Sequence, residues 1–329
     1  MNTRAPHILI TGATGLLGRP VLSACSAGRD WRVTGTSFRR TGPGLERIDL
    51  SQTAQLPAFL NRLAPDVIIH SAAERRPDVS EKDPQGTQRL NVGATATLAQ
   101  WAAARQTFLI YISTDYVFDG TRPPYRPGDA THPLNAYGQS KLDGEHAVQS
   151  AGGDYAILRV PILYGGVETL DESPVTVLAK NMLTARPGER LAMEDWATRY
   201  PTHTSDVAAV LCQMVAHKLA SPELRGIFHW SGSEPMTKYG MALTFAPLLG
   251  FDRTRLVPDA TPPAGAPRPK NAHLDTSDLE RLGIGQRTPF ADALPAILAP
   301  HLPNRGERPR EPHSTLQNEP PKAATREGA

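Results

Sequence analysis

The chain has 329 residues, of which 40% are hydrophobic and 21% are charged, as is usual for a globular protein. Its 35 basic and 33 acidic side chains leave a formal net charge of +2, so no surface for a nucleic acid or an anionic membrane is indicated. No run approaches the roughly 20 apolar residues that a membrane-spanning helix requires.

The first half of the sequence alternates short apolar runs with segments of helical spacing. The predicted strands lie at His7–Thr11, 31–36, 66–70, 108–113 and Tyr155–Val160. The predicted helices lie at 16–27, 54–63, 90–105 and 137–150. Strands that are apolar throughout and alternate with helices are typical of a parallel sheet covered on both faces. We therefore expect an α/β fold, a Rossmann-like doubly wound parallel sheet.

The second half is less regular. Its predicted elements are helices at 175–183, 205–219 and 237–249 and a strand at 227–230 that is expected to return to the sheet. The aromatic side chains of Phe228 and Trp230 are expected in the core, because this strand is apolar. A proline-rich loop covers 259–268. Residues 304–329 contain too few apolar side chains to order themselves, and a disordered tail is predicted there.

Two cysteines, Cys25 and Cys212, are too few for a disulfide framework. Neither lies in a C-x-x-C pair or near a histidine, so no metal site is predicted. The short apolar run at His7–Thr11 leads directly into a glycine loop and does not have the form of a signal peptide. A reducing, cytoplasmic location is the expectation.

A glycine-rich loop, TGATGLLG at residues 11–18, connects the first strand to the first helix. Glycines at this position permit a tight turn and let a pyrophosphate approach the backbone, while the helix N-terminus offers free N–H groups. The spacing is G-x-x-G-x-x-G rather than the commoner G-x-G-x-x-G. A plain strand-to-helix turn is the alternative, but the position of the loop in the α/β pattern favours dinucleotide binding.

The end of the second strand, TSFRR at 36–40, indicates which dinucleotide is bound. An acid there would hold the ribose 2′-hydroxyl of NAD, whereas arginine suits the 2′-phosphate of NADP. Arg39 and Arg40 therefore predict NADP(H), with a solvated surface pair as the alternative. Asp49 is a candidate for contact with the adenine side.

Tyr137 and Lys141 are four residues apart and would share one face of a helix. A tyrosine hydroxyl has a reference pKa of about 10, and a neighbouring ammonium favours the phenolate, which should bring its pKa nearer to neutral. Ser113 and Thr114, at the end of the fourth strand, are placed to hold a substrate carbonyl beside that hydroxyl.

These residues together resemble the extended short-chain dehydrogenase/reductases. Within that family, segments 113–120 (STDYVFDG) and 133–141 (PLNAYGQSK) look like those of the dTDP-4-dehydrorhamnose reductases. The resemblance implies hydride delivery from NADPH to a 4-keto nucleotide sugar. Thr114, Tyr137 and Lys141 would be the catalytic residues, with Tyr137 as the proton donor.

The cofactor site expected from the loop, the strand ends and this resemblance extends along the carboxyl edge of the sheet. Its predicted residues are Gly12, Thr14, Gly15, Leu16, Leu17, Gly18, Ser37, Phe38, Arg39, Arg40, Asp49, Leu50, Ser71, Ala72, Ala73, Asn91, Tyr137, Lys141 and Pro161.

A second resemblance spans about residues 7–302 and is to the regulatory beta subunits of methionine adenosyltransferase. The matching segments are 38–40 (FRR), 72–79 (AAERRPDV), 159–165 (RVPILYG), 199–203 (RYPTH), 228–232 (FHWSG), 236–239 (MTKY) and 283–290 (GIGQRTPF). Those subunits are similar to the reductases in fold and keep an NADP site, yet they act by binding a catalytic partner. The rival expectation is therefore a non-catalytic protein that binds a methionine adenosyltransferase catalytic subunit and regulates S-adenosylmethionine synthesis.

In the reductase interpretation, cationic side chains would face the diphosphate or the sugar of the substrate. The predicted substrate residues are Arg75, Arg76, Asp115, Tyr116, Val117, Arg199, His203 and Arg268. The run 74–78 (ERRPD) is charge-balanced, so a structural ion-pair network fits it as well as a ligand site does. His203 and Asp206 are suggestive of an acid–base pair, although Tyr137 and Lys141 already supply that role.

The expected organisation is an NADP-binding Rossmann domain at 1–165, a smaller substrate lobe at 166–303 that is partly interleaved with the sheet, and the tail at 304–329. The cleft between the domain and the lobe is the predicted site. A homodimer is left open as a further expectation.

Overall fold

The computed structural model describes residues 4–221 and 223–302, so the predicted tail at 304–329 lies outside the described residues. Within these ranges the strands are β1 His7–Thr11, β2 Arg32–Ser37, β3 Leu45–Arg47, β4 Val67–His70, β5 Phe108–Thr114, β6 Tyr155–Val160, β7 Leu163–Tyr164, β8 Leu191–Glu194, β9 Thr202–His203, β10 Gly226–His229 and β11 Leu256–Asp259. The helices are α1 Gly18–Ser26, α2 Leu56–Leu63, α3 Pro77–Lys82, α4 Pro84–Thr87, α5 Thr95–Arg105, α6 Ala136–Ala151, α7 Thr176–Thr184, α8 Thr204–Ala220, α9 Lys238–Leu249, α10 Ser277–Arg281 and α11 Phe290–Leu298.

The central sheet of the described residues has seven parallel strands in the order β10-β6-β5-β4-β1-β2-β3. The chain builds outward from β1 in one direction through β2 and β3, and then in the other through β4, β5 and β6. This order confirms the predicted doubly wound, Rossmann-like fold. Because the order reverses beside β1, the carboxyl ends of β1 and β4 border a crevice, which is where such sheets bind ligands.

Helices cover both faces of the sheet. On one face, Ile8 and Ile10 of β1 lie in a core with side chains of α1 and α8. Phe228 and Trp230 are buried in this same core, as predicted. On the other face, Leu9 of β1 packs with side chains of α2 and α5. The sheet is therefore a rigid support whose carboxyl edge carries the loops.

A third core lies in the second half of the chain. It gathers Tyr164, Phe245 and Phe290 with apolar side chains of α7, α9 and α11. Two small parallel pairs, β8 with β11 and β7 with β9, belong to the same half of the chain. The strand β10 lies in the central sheet beside β6, with Ile227 opposite Ile157, so this half of the chain also returns to the sheet.

The structure adds elements that were not predicted. The strand β3 follows the Arg39–Arg40 pair, and the predicted helix at 90–105 is a π-helical stretch, Gln88–Ala94, followed by α5. Strands of two or three residues have no periodicity for a sequence pattern to reveal. The helix α11 was missed although its apolar side is buried, because Pro295 lies inside it and proline usually interrupts helices.

Candidate active site

The glycine loop turns sharply between β1 and α1. Gly12 has φ +67°, and a Cβ atom added to it would lie 2.9 Å from the backbone of Ala72. The Gly15 amide donates to the Gly12 carbonyl oxygen at 3.0 Å, which closes the turn. Only glycine fits at position 12, because the backbone there is left-handed and the chain that leaves β4 passes close to it.

The end of this loop carries unpaired backbone amides. Within the described residues, the N–H groups of Leu16 and Leu17 have no hydrogen-bond acceptor. Both residues line a cavity, and α1 begins directly after them with no acidic residue in its first turn. Free amides at a positively polarised helix end fit a pyrophosphate group. The loop therefore has the chemistry that a dinucleotide requires.

The cavity has a volume of about 450 Å³ and lies at the carboxyl edge of the sheet. Its lining includes fourteen of the residues predicted from the sequence: Leu16, Leu17, Ser71, Ala73, Arg75, Arg76, Thr114, Asp115, Tyr116, Tyr137, Lys141, Pro161, Arg199 and Arg268. The loop amides, the Thr–Tyr–Lys set and several cations thus face one space.

Thr114, Tyr137 and Lys141 meet where β5 ends beside the first two turns of α6. The helix begins after Asn135, whose side-chain oxygen accepts from the Gly138 amide at 2.8 Å. This cap fixes the first turn of α6 and with it the position of Tyr137. Lys141 follows one turn later on the same face, as its spacing predicted.

The protonation of Tyr137 differs from the expectation. Burial raises the pKa of its hydroxyl well above 10, although a hydrogen bond with Thr114 lowers it in part. The predicted lowering by Lys141 was wrong for this structure. Burial of Lys141 lowers its own pKa to about 7, so it carries only a partial charge at neutral pH. Its Nζ atom lies 4.0 Å from the centre of the Tyr111 ring.

A buried polar network lies beneath Lys141. Glu145, one turn further along α6, accepts from Arg159 at 2.6 Å and from the Ser113 hydroxyl. Arg159 also donates to the Pro127 carbonyl oxygen at 3.1 Å and lies 3.3 Å from a ring nitrogen of His229. The network connects β5, α6, β6 and β10 directly under the site.

Asp115 and Tyr116 follow Thr114 in a short helical turn on the cavity wall. Burial raises the pKa of the Asp115 carboxyl to about 7, while Thr114 and Arg199 favour its ionised form in part. Tyr116 lies edge-on to Tyr137 with ring centres 5.9 Å apart, and burial raises its pKa to about 12. Asp115 is therefore a second proton-carrying group near neutral pH.

Cations from the second half of the chain gather on one wall of the cavity. Arg199 pairs with Glu194 at 2.6 Å, and Arg268 pairs with Asp78 at 2.7 Å. Lys238, at the first position of α9, lines the same wall. Its side chain has no hydrogen bond or ion pair within the described part of the chain. Burial is the main cause that lowers its pKa, and the two arginine charges add to it.

Lys238 is a functional candidate that sequence reasoning missed. Its segment MTKY served only as a resemblance, and no local pattern distinguishes this lysine from a surface one. The Thr237 side chain caps α9 by accepting from the Gly240 amide, which fixes the start of the helix and the position of Lys238. The start of this helix could be predicted from the sequence, but the cavity beside it could not.

Other predicted cofactor residues lie outside the cavity lining: Gly12, Thr14, Gly15, Gly18, Ser37, Phe38, Arg39, Arg40, Asp49, Leu50, Ala72 and Asn91. Gly12 and its neighbours form the loop behind the free amides. Arg39 lies over the Phe38 ring at 5.4 Å, and Arg40 pairs with Glu168. Asp49 accepts from Ser51, and Asn91 bonds to Ser140 and the Glu74 backbone.

Two predicted substrate residues are also outside the lining. Val117 is fully buried in a small core with Phe118. His203 packs against the Tyr164 ring at 5.2 Å, and its Nδ1 atom is buried without a partner in the described structure. Both residues belong to sequence motifs, but their side chains pack against other side chains and do not line the cavity.

The charged run at 74–78 combines both interpretations. Arg76 pairs with Glu74 inside the run at 2.8 Å, whereas Asp78 reaches across to Arg268. Arg75 donates to the Glu172 carbonyl oxygen at 2.5 Å. Among the described residues, no group of three or more potential ligands could hold a metal ion, and no helix is long and apolar enough to span a membrane.

The chain belongs to the family of the RmlD substrate binding domain, which matches residues 6–302. It is 47% identical to methionine adenosyltransferase 2 subunit beta of Mus musculus over 303 residues, 92% of this chain and 90% of that protein. It is also 31% identical to dTDP-4-dehydrorhamnose reductase of Sinorhizobium fredii, over 75% of this chain and 83% of that one.

Among solved structures, the fold matches a dTDP-4-dehydrorhamnose reductase from Clostridium acetobutylicum with a TM-score of 0.78 and 27% identity. The match covers 90% of this chain and 99% of that one. The sequence resemblances to both groups of proteins are thereby confirmed.

Proposed function

We propose that this protein is an NADP(H)-dependent reductase of a 4-keto nucleotide sugar. The observation that carries the proposal is that Thr114, Tyr137 and Lys141 line one cavity with the free amides of Leu16 and Leu17. The similarity to a dTDP-4-dehydrorhamnose reductase supports the substrate class. In this proposal residues 1–165 bind the cofactor, and residues 166–303 form most of the substrate side.

The cofactor site is proposed to extend from the loop to Arg39 and Arg40, which follow β2. No acidic residue stands at this strand end to hold a ribose 2′-hydroxyl, and two guanidinium groups suit a 2′-phosphate. The preference for NADP(H) over NAD(H) is therefore part of the proposal.

When bound, NADPH would supply a hydride to the substrate carbonyl carbon. Thr114 then holds the carbonyl oxygen, and Tyr137 donates the proton to it. Tyr137 has a raised pKa, so it holds this proton firmly until negative charge develops on the oxygen. Lys141, whose pKa is about 7, can return a proton toward the phenol at neutral pH. Arg199, Arg268 and Lys238 would face the diphosphate.

The test is oxidation of NADPH in the presence of a panel of 4-keto nucleotide sugars. We expect turnover, and we expect Tyr137→Phe to abolish it while NADPH binding persists. Tyr155→Phe is the matched control, because this tyrosine lies at the start of β6 and does not line the cavity. Turnover that survives in Tyr137→Phe would show that Tyr137 is not the proton donor.

A second function is favoured by a separate observation, the 47% identity to methionine adenosyltransferase 2 subunit beta over nine-tenths of both proteins. In this alternative the protein binds NADP(H) but regulates a methionine adenosyltransferase catalytic subunit in the synthesis of S-adenosylmethionine. Absence of turnover with all sugars, together with co-purification of such a subunit and a change in its activity, would support the alternative over the reductase.

The proposal places the protein in the cytoplasm, which its two free cysteines fit. A homodimer is proposed as the assembly in the absence of another partner, and light scattering of the purified chain measures it.

A further inference from the structure

An acidic segment crosses the proposed cofactor side of the crevice. We name residues 165–173, GGVETLDES, the acidic strap; it connects β7 to α7 and contains a short helical turn at Leu170–Glu172. Glu168 accepts from both terminal nitrogens of Arg40, at 2.5 and 2.6 Å. Glu172 accepts from both terminal nitrogens of Arg19, at 2.7 Å each.

The three arginines that hold the acidic strap come from separate segments, which follow β1, β2 and β4. Arg19 lies in the first turn of α1, directly after the glycine loop, and Arg40 follows β2. Arg75 follows β4 and donates to the Glu172 carbonyl oxygen at 2.5 Å. The strap is therefore attached across the carboxyl edge of β1, β2 and β4, where the phosphates and the adenosine of a dinucleotide would lie.

The two carboxylates of the strap differ in exposure. The Arg19–Glu172 pair has side chains 25% and 18% exposed, whereas the Arg40–Glu168 pair is 53% and 46% exposed. Exposed pairs are weak and readily exchange one anion for another. Glu172 thus anchors the strap, while Glu168 is the contact that an incoming anion can replace.

A guanidinium group presents one planar fork that binds a carboxylate or a phosphate through two parallel hydrogen bonds. Glu168 occupies the fork of Arg40, the residue proposed to receive the 2′-phosphate of NADP(H). A phosphate and this carboxylate would therefore compete for the same nitrogens, and their charges would repel each other. NAD(H), which lacks the 2′-phosphate, would leave the pair intact.

Resting on the proposed cofactor site, we propose that Glu168 is a specificity-determining residue that competes with the 2′-phosphate for Arg40. The strap then acts as an internal anionic competitor: it weakens NADP(H) binding and leaves NAD(H) binding unaffected. Release of Glu168 is the step that couples binding of NADP(H) to the position of the strap beside the cavity, since Asp171 and Glu172 line that cavity.

The test is calorimetric titration of the full-length protein with NADPH and with NADH at low salt, comparing the wild type with Glu168→Gln. Because Glu168 supplies one exposed ion pair, we expect its loss to tighten NADPH binding roughly two- to fivefold and to leave NADH binding unchanged. The gain in NADPH affinity should shrink at high salt. It should vanish when Glu168→Gln is added to Arg40→Ala, because the guanidinium group for which the carboxylate and the phosphate compete is then absent.

Glu46→Gln is the matched control. Glu46 also accepts from both terminal nitrogens of an exposed arginine, Arg62, and its side chain is 38% exposed, but it lies on β3 outside the cavity. We expect no change for either dinucleotide. Equal tightening of NADPH and NADH in Glu168→Gln, or weaker NADPH binding, would overturn the competition while leaving the proposed function standing. A wild-type protein that binds neither dinucleotide would overturn both.

Discussion

Glu145 and Arg159 form a salt bridge of 2.6 Å in which the side chains are only 1% and 2% exposed. Glu145 is the carboxylate that faces the Arg159 guanidinium, and it also holds the Ser113 hydroxyl. We predict that Glu145→Gln lowers the free energy of unfolding by about 3–5 kcal/mol, because it leaves a buried guanidinium without its counter-charge. Urea denaturation at neutral pH measures this loss.

The control for this prediction is Glu46→Gln, which removes the carboxylate of an exposed pair on β3 and should hardly change the unfolding midpoint. Equal midpoints for the two variants would mean that Arg159 finds compensation elsewhere, for instance from the Pro127 carbonyl oxygen.

The buried pair also illustrates what the sequence can reveal about this fold. The strands β1, β5 and β6 were predictable, because each is a mainly apolar run that is almost entirely buried. Arg159 interrupts β6 as a charge in such a run, but its partner is on a helix and only the folded chain brings the two together.

The site divides in the same way. Leu16, Leu17, Thr114, Tyr137 and Lys141 were predictable, because short motifs place each one at a defined point of a strand–helix unit. The contacts of Arg40 and Lys238 were not. Glu168 is 128 residues from Arg40, and Lys238 reaches the cavity only through the packing of α9 in the third core. His203 stays a predicted substrate residue, but it lies outside the cavity lining because it packs on Tyr164, a contact that its motif does not reveal.

Asp115 should make stability depend on pH. The folded pKa of about 7 lies above the ordinary value of 3.8, so between these values the folded state keeps a proton that the unfolded chain has lost. The contribution of Asp115 to stability therefore falls as pH rises from about 4 to 7 and stays low above that. We predict that Asp115→Asn gains stability relative to the wild type across this window, as measured by urea midpoints at several pH values.

Asp119→Asn is the control for Asp115, because the Tyr125 hydroxyl and the Thr121 groups lower the Asp119 pKa to about 2. Its stabilising contribution is lost only as pH falls from about 4 through 2, so the variant should show a constant difference between pH 5 and 8. A constant difference for Asp115→Asn over pH 4–7 would contradict the raised pKa.

Lys238 should matter for binding of an anionic substrate group. No counter-charge is bonded to its side chain within the described residues, and Arg199 and Arg268 beside it are already paired. We predict that Lys238→Met raises the KM for a nucleotide sugar about tenfold or more with a smaller change in kcat, because a charged hydrogen bond to the diphosphate is lost. Steady-state kinetics measure both constants.

Lys218→Met serves as the control for Lys238. Lys218 lies on α8 and pairs with Asp154 at 2.8 Å, and neither residue lines the cavity, so KM should stay unchanged. If Lys238→Met lowers kcat and leaves KM as it was, the lysine acts on the reaction and not on the diphosphate.

Gly12 should be irreplaceable for two separable reasons, its left-handed backbone and its contact with Ala72. Gly28 shares the first property alone: its φ is +65°, but a Cβ atom there would meet nothing within 4 Å. We predict that Gly28→Ala costs about 1–2 kcal/mol of stability, the price of a left-handed alanine, and leaves dinucleotide binding intact. Gly12→Ala should cost more than Gly28→Ala, because its Cβ would lie 2.9 Å from the Ala72 backbone and displace the loop. Gly12→Ala should also abolish NADPH binding, since the free amides of Leu16 and Leu17 would move with the loop. Denaturation measures the stability of both variants, and calorimetry measures their NADPH binding. Equal stability losses with retained binding would show that the loop does not depend on the contact between Gly12 and Ala72.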